Sequence, residues 1–144
     1  MEKNCKIAII VILFACFFLV DKESMQKATL LHFQHANIFH LLANAWSIHL
    51  IKRAKWIPAY IIAVLCAIPF ADNTLGFSGV IFAALGIIYG RYPSKLFVWA
   101  VAIVLVTGLL PSIHVLFHLI CLFAGFFVGY IYQLTKLYVE YRNR

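Results

Sequence analysis

Acidic side chains are nearly missing from this chain: there are five in 144 residues, and none between Asp72 and Glu140. Charge of either sign is scarce, at 12% of positions, while 65% of positions are hydrophobic. A soluble domain is about half apolar and about a quarter charged, so this composition excludes an ordinary water-solvated domain and points to lipid as the solvent. Cysteine pairing is missing as well. Cys5, Cys16, Cys66 and Cys121 are scattered, mostly inside apolar runs, with no CxxC and no paired spacing. That excludes a disulfide framework or a zinc ribbon, and the four read as small hydrophobes. No small-residue cleavage pattern precedes Asp21 and Lys22, so the first apolar run reads as a retained helix rather than a secretory leader. A net charge of +7 would suggest nucleic acid in a soluble protein. Here the placement of the charges decides instead, and no nucleic-acid partner is expected.

What is present is a succession of apolar segments. Short polar stretches divide the chain into six, at 5–20, 36–51, 56–71, 77–90, 96–110 and 113–135. The expectation is one all-α integral membrane domain over residues 1–144 with six transmembrane helices, its partner the lipid bilayer. Several segments fall short of the ~20 residues of a full span, which predicts short or tilted helices. In a six-span arrangement Lys3, Lys6, Lys52, Arg53, Lys55, Arg91, Lys95, Lys136, Arg142 and Arg144 share one side, ten of the twelve cations. Lys22 and Lys27 fall on the other side with Asp21, Glu23 and Asp72. Excess Lys and Arg marks the cytoplasmic face, so both termini are expected there. Trp56 and Trp99, close to Lys55 and Lys95, suit an interfacial belt. The compact core suggests a bacterial inner membrane.

Helices two, four and six then run from outside to inside, and each carries polar groups near its outer end. Helix two has His40 and Asn44 on one face, with Ser47 continuing the stripe. Helix four opens at Gly76-Phe77-Ser78-Gly79, and helix six holds His114 and His118 on one face. Polar side chains at membrane depth are costly and usually line a cavity or a functional site. One shared site is expected.

Small residues show how that site is assembled. Gly79, Ala83, Gly86 and Gly90 form a stripe on helix four; Cys121, Gly125 and Gly129 form one on helix six. Such stripes let helix backbones approach closely in lipid. Gly86 lies about 12 Å below Ser78, and Gly125 about 10.5 Å below His118, at the rise of an α-helix. Docked stripes would therefore bring Ser78 and His118 level. Helix four is short, roughly 18 Å between Gly79 and Gly90. In a hydrocarbon core about 30 Å thick, Ser78 should start on the order of 10 Å below the outer surface. The loop at 71–75 must then dip inward, which is tolerated only beside protein or a water-filled cavity.

These residues carry a resemblance. Gly76-Phe77-Ser78-Gly79 resembles the GxSG motif of rhomboid proteases, and His35, His40 and Asn44 look like their second-helix HxxxxHxxxN. His118-Leu-Ile-Cys121-Leu-Phe-Ala-Gly125 is similar to their sixth-helix HxxGxxxG with one substitution. The resemblance covers all six segments in order and implies a six-helix rhomboid-like bundle whose short central helix four starts inside the membrane. It implies a serine endopeptidase that cuts single-span transmembrane substrates near the outer face, without metal or cofactor. Ser78 would be the nucleophile and His118 the general base and acid. The oxyanion would be held by the Ser78 backbone N–H with the side chains of His40 and Asn44. Gly76, Gly79, Phe82, His35 and Gly125 would support the site. Three departures stand out. Phe82 replaces a family Tyr and can stack on imidazole without hydrogen-bonding; Cys121 replaces a glycine; and the first outer loop, 21–34, lacks the Trp-Arg pair of many members. The loop at 108–112 beside helix five is the expected lateral gate.

Each residue also has a plainer reading. Ser78 alone reads as a helix N-cap, and His40 and Asn44 as inter-helix hydrogen bonders. His114 is the rival base, without the downstream glycine spacing. His32 and His35 suit the outer boundary as polar anchors, with a part in the loop or water path open to His35. His49 reads as an inter-helix hydrogen bonder, and Phe123, Phe126 and Phe127 as lipid-facing bulk. Two other functions fit less of the sequence. A non-catalytic rhomboid-like binder would capture transmembrane helices without cutting. A haem or metal carrier would use His114 and His118 at i, i+4, leaving GxSG and Asn44 unexplained.

Overall fold

The computed structural model describes residues 2–20, 33, 35, 37–70, 76–107 and 114–143. Every regular element among them is helical: α1 (Glu2–Leu19), α2 (Ile38–Leu50), α3 (Trp56–Ala67, prolonged by a 3-10 turn at Ile68–Phe70), α4 (Ser78–Arg91), α5 (Leu96–Thr107) and α6 (Val115–Arg142). The six helices coincide with the six apolar segments. Their ends differ where charge, rather than helix geometry, set the expectation. Helix α1 continues back through Lys3 and Lys6, and α6 runs on to Arg142, where Lys136 and Glu140 pair at i, i+4 across 3.5 Å. Hydropathy marks where apolar surface stops; a helix of good formers carries on past it. The short α2 starts at Ile38 because Asn37, in extended backbone, caps it by accepting from the His40 N–H at 2.9 Å.

Helix α4 is the centre. Eight of its fourteen residues are buried, among them Gly79, Ala83, Gly86 and Gly90, and a helix apolar all round belongs inside. It lies parallel to α6 in very close contact. A Cβ at Gly86 would run into the Leu122 carbonyl, one at Gly125 into the Ala83 carbonyl, and one at Gly129 into the Ile87 carbonyl. The two small-residue stripes therefore face each other backbone to backbone, in increasing register. Helix α3 packs on the same pair, α1 packs on α2, and α5 leans on α4 and α6. Ala100 and Val104 of α5 bury against Leu122 of α6. Cys121 fills the level of Gly79 without parting the helices: it is fully buried.

The outer surface is apolar. Phe39 is 79% exposed, Ile57 76% and Val98 69%, and comparable residues ring α1, α5 and α6. Helix Val115–Arg142 is long and apolar enough to cross a membrane by length and composition, while Trp56–Phe70, Ser78–Arg91 and Leu96–Val106 are apolar but shorter. Two aromatic expectations change. Trp56 is buried, with its ring 6.2 Å from that of Phe77, so it belongs to the core rather than a belt; Trp99 is exposed. Phe123 and Phe127 face outward, whereas Phe126 packs on Phe97 at 4.6 Å, because α5 covers that side of α6. His49 is exposed, and its backbone carbonyl, not its ring, accepts a bond from Lys6.

Candidate functional site

The site forms where three helices bring their polar ends together. Gly76, at φ +102, turns the chain into α4 in a conformation that side chains other than glycine rarely adopt. Phe77 stands at the cap position without a side-chain cap, and Ser78 is the first helical residue. The Ser78 hydroxyl does not cap the helix. Its Oγ lies 2.8 Å from Nε2 of His118, forty positions away and at the same height on the docked stripes. Ser78 is half-buried and His118 buried. The ring of Phe82, one turn after Ser78, leans on the imidazole at 5.0 Å and 44°, and Phe117 flanks it at 5.5 Å.

With the Ser78 hydroxyl donating to Nε2, the proton of neutral His118 sits on Nδ1. That Nδ1 is buried and has no hydrogen-bond partner. No carboxylate among the described residues supports it, so on that side the imidazole is held by packing against Phe82 and Phe117 rather than by a hydrogen bond.

Beside the dyad, α2 supplies the second half of the site. A Cβ at Gly76 would press on the His40 ring at 2.8 Å from Nε2 and meet Nδ2 of Asn44 at 3.5 Å, so both side chains border the turn that carries Ser78. Asn44 is buried and donates through Nδ2 to Nε2 of His35 at 2.8 Å, while Nδ1 of His35 donates to the Phe33 carbonyl at 3.2 Å. The His35 ring also meets the His40 ring edge-on at 5.1 Å. Burial, with the His40 ring next to it, pushes the pKa of His35 down to about 4 despite the Phe33 contact. The two bonds fit a single neutral tautomer. The motif resemblance places His35 and Asn44 in one string, but their hydrogen bond does not follow from helical periodicity, since the nine positions between them run across a helix start. The bond does not exhaust Asn44, whose amide keeps a second N–H.

The first hydrogen bond of α4 runs from the Ile81 N–H to the Phe77 carbonyl. The N–H groups of Ser78, Gly79 and Val80 therefore have no acceptor within the helix, and they converge at its positive end. An oxygen beside Ser78 would meet backbone donors here, with Asn44 and His40 opposite. Chemically, the arrangement offers an alcohol, a base and an anion cradle.

The remaining candidates stand apart. His114 precedes α6 half-buried and makes no capping bond, while His118 holds the position against Ser78. Ser47 bonds back to the Ala43 carbonyl at 2.8 Å and takes no part. Among the described residues, no three His, Cys, Asp or Glu side chains come together as a metal-binding group, so the metal reading of His114 and His118 finds no third ligand there. His32, the outer loop at 21–34 apart from Phe33, the dipping loop at 71–75 and the expected gate at 108–112 lie outside the described residues. No family model, curated protein or solved structure matches the chain.

Proposed function

We propose that this protein is an intramembrane serine endopeptidase of rhomboid type, a six-span protein of a bacterial inner membrane with both termini in the cytoplasm. The observation that carries this reading is the 2.8 Å approach of Ser78 Oγ to His118 Nε2 at the free N-terminus of α4. The exposed apolar surface supports lipid as the surroundings, since soluble monomers rarely expose contiguous patches beyond a few hundred Å². Convergence of Cys5, Arg53, Lys55 and Arg91 around one cavity supports a common cationic end.

In this reading an unwound stretch of a single-span substrate presents its carbonyl to Ser78. Ser78 Oγ attacks as its proton passes to Nε2 of His118, and the oxyanion is received by the backbone N–H of Ser78 with Asn44 and His40. His118 returns the proton to the leaving amine, and water then releases the acyl group by the same route in reverse. Small residues at the cleavage point suit a site walled by Phe77, Phe82 and Phe117. A second reading, a client-binding protein that does not cut, is favoured by the one feature that weakens the base: the unpartnered Nδ1 of His118.

A fluorophosphonate probe separates the two. Labelling of the wild type that disappears in Ser78→Ala and falls on the order of 10³-fold or more in His118→Ala supports the protease. A wild type that stays unlabelled both in detergent and in liposomes is a binder.

A further inference from the structure

At the end of the bundle away from Ser78, α1, α3 and α4 border an open cavity of about 570 Å³. Its polar lining is cationic: Arg53 and Lys55 from the connection before α3, and Arg91 from the last turn of α4. Among the described residues, no carboxylate pairs with Lys55 or Arg91. Arg91 is held between rings, 4.3 Å above that of Tyr132 and 5.6 Å from that of Tyr92, and Arg53 lies 5.9 Å from the Tyr92 ring. Arg53 also takes φ 61, a left-handed conformation that side chains of its size seldom adopt.

Two buried donors remain unfilled: the indole Nε1 of Trp56, a residue only 6% exposed that lines the cavity, and Nε of Arg91. Buried N–H groups normally find an acceptor. Trp56 also begins α3, whose cap residue Lys55 makes no side-chain bond to it, so free backbone N–H groups open at the same place. The rest of the lining is apolar, with Ile57 and Pro58 on one side and Ile87 and Ile88 on the other. Ile57 and Tyr92 continue outward onto exposed surface.

We infer that this cavity binds the phosphate headgroup of an acidic phospholipid, with Arg53, Lys55 and Arg91 around the phosphate and an acyl chain along Ile57 and Ile88. Phosphate chemistry follows from the ring-held guanidinium of Arg91 and the Lys55 ammonium, neither paired with a carboxylate among the described residues, and from the two unfilled donors. The lipid source follows from the apolar wall leading out to exposed isoleucine, which a free phosphate ion would not use. Basic pockets between helices at a cationic membrane face are built for this. The assignment rests on the membrane placement proposed above and not on the chemistry of Ser78.

Native mass spectrometry of the full chain in detergent tests it, with phosphatidylglycerol, phosphatidylcholine and inorganic phosphate offered in parallel. Phosphatidylglycerol should be retained roughly tenfold better than phosphatidylcholine, and Arg91→Gln should remove about that preference, as loss of a charge-assisted bond does. Trp56→Phe keeps the ring, removes the donor and should weaken retention several-fold. Lys95→Gln, an exposed cation outside the cavity, should bind as wild type does, and so should Ser78→Ala, which separates this outcome from that of the protease. Equal retention of the two lipids, or an unchanged preference in both Arg91→Gln and Arg53→Gln, overturns the proposal. Inorganic phosphate binding at the same concentrations as phosphatidylglycerol would assign the site to the free ion and overturn the lipid.

Discussion

The side-chain amide of Asn44 donates to Nε2 of His35 at 2.8 Å, tying a residue ahead of α2 to one in the middle of it. The bond needs a lone pair on Nε2, and with Nδ1 donating to Phe33 the ring is fixed in its neutral form. A proton on Nε2 would turn it against the Asn44 amide.

Stability should therefore depend on His35 at mildly acidic pH. Its pKa is lowered from 6.5 to about 4 in the fold, so the unfolded chain takes up a proton that the folded one resists. The contribution of neutral His35 is present above 6.5 and is lost as pH falls toward about 4. Thermal unfolding in detergent should show the wild type losing stability over that window more steeply than His35→Gln, which cannot titrate. Parallel curves would mean that His35 is not held neutral.

Asn44 and His40 should act on the transition state and not on binding. Asn44→Ala is expected to lower kcat by roughly 10²–10³-fold with little change in KM, the usual result of removing one oxyanion donor. His40→Ala should behave alike. A rise in KM at constant kcat in both variants would place these side chains in substrate binding instead.

Phe82 holds the His118 ring by packing alone. Aromatic pairs are worth about 0.5–1.5 kcal/mol beyond burial, so Phe82→Ala should slow probe labelling of Ser78 by up to roughly tenfold. Phe82→Tyr keeps the ring and adds a hydroxyl, and should label at least as fast as the wild type. Labelling rates measured for the three proteins side by side check this; an unaffected Phe82→Ala would show that the imidazole is oriented by something else.

The glycine stripes should be intolerant of any side chain. At Gly86 and Gly125 a Cβ meets backbone carbonyls, which cannot rotate away as side chains do. Gly125→Val should cost more than the ~1–3 kcal/mol of ordinary overpacking and separate Ser78 from His118, abolishing labelling. Phe127→Leu, on the exposed face of the same helix, should unfold close to the wild-type temperature. Thermal denaturation followed by tryptophan fluorescence compares the pair.

Much of this was present in the residues. Six apolar segments determine six helices, because an apolar run this long has few other ways to satisfy its backbone. The matched offsets from Ser78 to Gly86 and from His118 to Gly125 determine that the hydroxyl and imidazole meet once the stripes dock, since the rise per residue of a helix is fixed. Other features only the tertiary structure decided. Trp56, next to a lysine, reads as an interface residue until α3 folds it against Phe77. His35 gains its role from Asn44 across a helix start, where no period applies. The cationic cavity draws Cys5, Arg53 and Arg91 from three distant stretches of chain. Local spacing fixes what lies along one helix; which side chains meet between helices depends on how the helices are packed, and that is a property of the whole bundle.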